Sequence, residues 1–84
     1  MLRLYYFAWV RERIGQSEES VPLTQGVKTV GDLIRDLRTR SAGHLAALND
    51  PSKLRVAVNQ IHVKLDHPVQ EGDEVAFFPP VTGG

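Results

Sequence analysis

The sequence predicts an α+β fold, a mixed sheet covered on one face by one main helix. Three observations predict it. The chain opens on a run with period-two alternation, Leu2, Leu4 and Tyr6 against Arg3, Tyr5 and Phe7, which reads as a strand with one face in the core. One stretch further on has strong helical periodicity, with Val30, Leu33, Ile34 and Leu37 at i, i+3, i+4 and i+7. The last third returns to short strand-like runs separated by turn residues, and such a mixture of strands and one helix gives an α+β domain.

The elements follow in order. After the first strand, residues 8–14 form a short helical turn, which Gly15 can stop because glycine accepts the left-handed conformation. Residues 18–23 are a second strand, and Pro22, which cannot donate to a ladder, makes it an edge strand or ends it early. Thr29 caps the main helix and Asp32 lies near its positive end. Its polar positions, Arg35, Asp36, Arg38 and Arg40, read as a solvated face, and Gly43 is expected to end it. Residues 45–48 form another turn, followed by the turn chemistry of Asn49, Asp50, Pro51 and Ser52. Leu54, Val56 and Val58 alternate with Arg55 and Ala57, Asn59 and Gln60 turn the chain, and Ile61, His62 and Val63 return as a hairpin partner. Gly72 and Asp73 make the last turn before Glu74, Val75, Ala76, Phe77 and Phe78, and Pro79 and Pro80 close that strand. With the first and last strands side by side in parallel, the intervening chain supplies the crossover that such a pair requires. That arrangement is the β-grasp, or ubiquitin-like, fold, here expected over residues 1–80 with a flexible tail at 81–84.

Composition narrows the function. Ten basic residues balance ten acidic ones and 42% of residues are hydrophobic, so no attachment to nucleic acid or membrane is indicated and the partners are expected to be proteins. Cysteine is absent, which removes disulfides, thiolate metal sites and thiol nucleophiles. Arg3 and Arg11 interrupt the N-terminal apolar run well before a membrane helix is complete, so a cytoplasmic location is expected. His44, His62 and His67 stand in separate segments without ligand spacing; each is expected on a surface or in a turn, and no metal is assigned. Glu18 and Glu19, like Asp73 and Glu74, are adjacent and point to opposite sides of a strand, the wrong geometry for cooperating carboxylates. No phosphate loop or nucleophile elbow is present.

The C-terminal residues offer chemistry that the body does not. Pro79 and Pro80 favour an extended path away from the sheet, and Val81, Thr82, Gly83 and Gly84 follow as a thin probe. Two terminal glycines can thread a narrow tunnel and leave the last carbonyl open to attack from either face. A carboxylate is a poor electrophile, so it must first be joined to a good leaving group, for which an acyl adenylate made from ATP is the obvious choice. Nothing in the chain would make one, and an activating enzyme is therefore implied.

The stretch from Gly72 to Gly84, Gly-Asp-Glu-Val-Ala-Phe-Phe-Pro-Pro-Val-Thr-Gly-Gly, resembles the C-terminal signature of the small, sulfur-carrier subunits of molybdopterin synthase. Phe7-Ala8 with Val10-Arg11-Glu12, Val58-Asn59 and Asp66-His67-Pro68 extend the likeness along the chain. The resemblance implies that Gly84 becomes first a glycyl adenylate, made with ATP by a ubiquitin-activating-like adenylyltransferase, and then a thiocarboxylate. The tail would thread the large synthase subunit, in a heterotetramer of two small and two large subunits, and give up sulfur for the dithiolene of molybdopterin. The chain would be a cosubstrate and not the catalyst, with no cofactor of its own. Sulfur carriers for thiazole synthesis or transfer-RNA thiolation, and ubiquitin-like modifiers that form isopeptides through their last glycine, are the alternatives.

Alternation adds a docking surface. Val75 and Phe77 share the core face of the last strand, so Phe78 points outward, as Phe7 does on the first. Together with Pro79 and Pro80 they form the expected partner interface at the root of the tail.

Overall fold

The computed structural model describes residues 1–80; Val81, Thr82, Gly83 and Gly84, which carry the expected chemistry, lie outside the described residues. Five strands form one mixed sheet, β1 (Leu2–Tyr6), β2 (Glu18–Val21), β3 (Arg55–Val58), β4 (Ile61–Val63) and β5 (Glu74–Phe78), in the order β2-β1-β5-β3-β4. β1 and β5 run parallel, pairing Arg3 with Glu74 and Tyr6 with Phe77, and the other neighbours are antiparallel. A parallel central pair flanked by antiparallel strands, with one main helix against the sheet, is the ubiquitin-like β-grasp. Pro22 acts as expected, since β2 is an edge strand and stops at Val21.

Helices α1 (Trp9–Ile14), α2 (Val30–Leu37) and α3 (Ala42–Leu48) complete the core. The main helix, α2, begins in a reciprocal cap: the Asp32 amide donates to the Thr29 hydroxyl at 3.2 Å, and the Thr29 amide donates to the Asp32 carboxylate at 3.2 Å. Its buried stripe is the one that periodicity selected, Val30, Leu33, Ile34 and Leu37. These pack with Leu2, Leu4 and Tyr6 of β1 and with Val75 and Phe77 of β5.

Two expectations are corrected here. Gly43 does not end the main helix, which stops at Leu37; it lies in the first turn of α3, where a Cβ would collide with the carbonyl oxygen of Arg13 in α1. The residue is glycine because two helix backbones touch there, and no left-handed turn is involved. His44 is not at the surface: it is 6% exposed, and α3 carries it into the core. Its Nε2 lies 2.6 Å from Glu19 Oε2 and its Nδ1 2.7 Å from the Ser41 hydroxyl, while the Tyr6 hydroxyl donates to the same Glu19 oxygen at 2.6 Å. Every buried side-chain polar atom of this group thus has a partner, the condition for burying it at modest cost. Burial alone would raise the Glu19 carboxyl pKa, but donors from Tyr6 and His44 and the charge of Arg40 outweigh it and hold the group below its ordinary value.

Two outcomes follow from this packing. Alanine for glycine in an exposed helix usually stabilises by about 1 kcal/mol, but Gly43→Ala is expected to destabilise by about 1 to 3 kcal/mol because backbone must move; thermal unfolding checks the reversed sign. A carboxyl depressed in the folded state contributes stability above its unfolded pKa of about 4.3, and that contribution disappears as pH falls through the folded value. Glu19→Gln should therefore lower the thermal midpoint at neutral pH and flatten its decline on acidification. A profile parallel to that of the parent chain would mean that folding does not shift the Glu19 carboxyl pKa.

Candidate functional site

The site is assembled at the ends of three strands. Because β1 and β5 run parallel, their C-terminal ends lie together, and the ladder continues one residue past β1, the Phe7 amide donating to the Phe77 carbonyl at 3.1 Å. Phe77 is fully buried and stacks on Tyr6 inside the sheet, with ring centroids 5.7 Å apart. One residue further on each strand the side chains take the other face. There Phe7 and Phe78 stack nearly parallel, with centroids 4.6 Å apart and planes inclined by 5°. Phe7 is 43% exposed, so the outer pair presents aromatic surface to solvent.

Local chemistry holds this geometry. After Phe7 the chain reverses at Ala8, whose φ of 54° lies in the left-handed region that a non-glycine residue occupies only under strain. The reversal is fastened by the Val10 amide, which donates to the Phe7 carbonyl at 3.1 Å. At the other end of β5, Asn59 and Gln60 both take positive φ in the tight β3–β4 hairpin. The Asn59 side chain donates to Asp73 and accepts from the Glu74 amide, each at 3.0 Å, so the start of β5 is tied to that hairpin.

Across the outer face, Tyr5, Ala76, Ala57 and His62 form one row over β1, β5, β3 and β4. The two alanines keep the floor low, leaving a groove of about 330 Å³ walled by Tyr5, Phe7, His62 and Phe78. A second groove of about 390 Å³ lies at the strand ends, lined by Phe7, Phe78, Pro79 and Pro80 together with Ala8, Arg55 and His62. The structure thus brings together all four described residues of the expected interface. Arg55 and His62 were not assigned to it from the sequence. His62 lies 5.8 Å from the Phe78 ring, and Arg55 stands opposite Phe78 on β3. The alternation of β3 and β4 could have placed both on the outer face, but their nearness to Phe78 depends on strand order.

Among the described residues no group of histidines and carboxylates could hold a metal ion, and no helix is long and apolar enough to cross a membrane. The surface can bind, through aromatic faces and a polar border, at the point from which residue 81 continues.

Comparison with known proteins extends beyond the described residues. The chain is 44% identical over 84 residues to the molybdopterin synthase sulfur carrier subunit of Escherichia coli, with all of both chains covered. The Haemophilus influenzae protein of the same name is 38% identical over 84 residues, again with full coverage of both. Among solved structures, SAMP1 from Haloferax volcanii superposes with a TM-score of 0.73 at 29% identity, covering 99% of this chain and 98% of that one. The ThiS family model matches residues 4–84, and the chain therefore belongs to the ThiS family.

Proposed function

We propose that this chain is the sulfur carrier subunit of a molybdopterin synthase, and that the Gly84 carboxylate carries the sulfur. The observation that carries the reading is the Phe7–Phe78 platform at the root of residues 81–84, in a chain similar from end to end to proteins named as such subunits. In this reading an oxygen of the Gly84 carboxylate attacks the α-phosphorus of ATP on a ubiquitin-activating-like enzyme, and pyrophosphate leaves. A sulfur nucleophile then displaces AMP from the acyl carbon and leaves a thiocarboxylate. The platform docks on the large synthase subunit, Val81, Thr82, Gly83 and Gly84 thread its active site, and sulfur passes to the pterin precursor in a cytoplasmic heterotetramer of two small and two large subunits. The chain contributes the cosubstrate and the docking surface, while the chemistry is catalysed by its partners. Phe7, Phe78, Pro79 and Pro80 serve the same docking step.

Incubation with ATP, the activating enzyme and a sulfur donor should give an intact mass in which one oxygen is exchanged for sulfur, mapped to Gly84. Cysteine is absent, so no side-chain thiol can take it up instead. An unchanged mass with the cognate enzymes present would defeat the carrier reading, and ladders of covalent protein adducts would favour a modifier.

The two neighbouring phenylalanines separate docking from folding. Phe78→Ala should weaken binding to the large subunit by about 1 to 3 kcal/mol while changing stability by less than about 1 kcal/mol. Phe77→Ala empties a fully buried site and should cost about 3 to 5 kcal/mol of stability. Thermal midpoints measured beside affinities decide the matter, and greater instability in Phe78→Ala would sink the assignment.

A further inference from the structure

The groove at the strand ends contains a cation that the sulfur-carrier reading leaves unused. Arg55 opens β3 opposite Phe78 and is exposed, and it is the one side chain of permanent charge lining that groove among the described residues. The ion pairs among the described residues are those of Met1, Arg35, Arg40 and His44, so Arg55 has no carboxylate partner there. Lys64 shares an adjoining hollow with Arg55, where Asp66 is the single acid. Elsewhere on the outer face acids enter, partly balanced by one cation: Glu18 lies beside Tyr5 on β2, and Glu74 lies beside Arg3 at the start of β5. The face is thus cationic at the corner nearest Pro79 and Pro80 and carries acids toward β2 and the start of β5.

A partner seated on the aromatic pair strips water from the border of that pair. An arginine covered without a counter-charge opposes docking, whereas its planar fork can donate two parallel hydrogen bonds to a carboxylate. Two stacked phenyl rings offer affinity but little to fix the rotation of the partner about them. A charge at one corner supplies that restraint, because only one orientation brings an acid over it. A polyanion such as nucleic acid fits less well, since the chain has no net charge and the same face carries Glu18 and Glu74.

We propose that the protein receiving residues 81–84 presents a carboxylate to Arg55, and that this pair sets the rotation of the docked complex. The proposal rests on the sulfur-carrier reading for the identity of that protein, the large synthase subunit. Its test titrates the unaltered chain, Arg55→Leu and Arg55→Glu against the large subunit from the same organism at a series of sodium chloride concentrations. Matched thermal midpoints establish that the variants fold. At low salt Arg55→Leu should bind about 5-fold and Arg55→Glu about 50-fold more weakly, with the differences shrinking as salt rises. Reversing the partner carboxylate to lysine should restore binding to Arg55→Glu. Equal affinities for all three chains would overturn the proposal while leaving the carrier reading intact, whereas failure of the unaltered chain to bind would remove that reading itself. A fluorescent single-stranded oligonucleotide is titrated in parallel; binding that Arg55→Glu abolishes, with large-subunit affinity unchanged, would assign the cation to nucleic acid and overturn the proposal.

Discussion

The parallel pairing of β1 with β5 is the constraint on which the rest of this structure depends. It makes β5 an interior strand, bonded to β1 on one side and β3 on the other, so its residues alternate between a dry core and an open face. It also sends the chain out of the sheet beside the end of β1. An antiparallel neighbour would have placed Phe78 next to the start of that strand, and Phe7 at the opposite end of the molecule. Hydrogen bonds just outside the ladder reinforce the register, from Arg3 to Asp73 and from Phe7 to Phe77.

Two aromatic pairs lie back to back across this ladder. Inside, Tyr6 stacks on Phe77; outside, one residue later on each strand, Phe7 stacks on Phe78. The inner pair cannot slide, because the Tyr6 hydroxyl is held by Glu19 of β2, and Glu19 is held by His44 of α3. Burial, together with the neighbouring Glu19 carboxylate, keeps the Tyr6 phenol neutral far above its usual range, so that tether does not ionise near neutral pH. The outer pair thus rests on a support fixed to the helical layer, an arrangement that limits the ordering cost of binding on it.

What the sequence disclosed follows from the range of the interactions involved. The alternation of β1 and β5 and the stripe of α2 are local periodicities, and they identified the core face of each element, Phe77 inside and Phe78 outside. His44 was misjudged because its partners are Glu19, 25 residues away, and Tyr6, which only the fold brings near. A local signal was nonetheless present, since His44, Ala47 and Leu48 have the helical spacing of a buried stripe and Ser41 is a cap residue three positions before His44. Gly43 was misread because glycine serves two purposes, left-handed turns and close backbone approach, and composition does not distinguish them. Ala8 gave no warning at all, alanine being a residue that rarely takes positive φ. Arg55 takes no role from local pattern, because only strand order places it against Phe78.

The position of β5 in the sheet also bears on how the protein is made. It is the last of the five strands in sequence but lies third in space, between elements synthesised more than 50 residues and about 20 residues before it. While a ribosome is still extending the chain, β1 with β2 and β3 with β4 can exist only as two separate hairpin-like halves with no strand between them. Closure of the core waits for Val75 and Phe77 to emerge. A chain broken off before that point lacks the centre of its sheet and exposes two apolar halves to chaperones and proteases. Compaction thus requires a chain completed at least through β5.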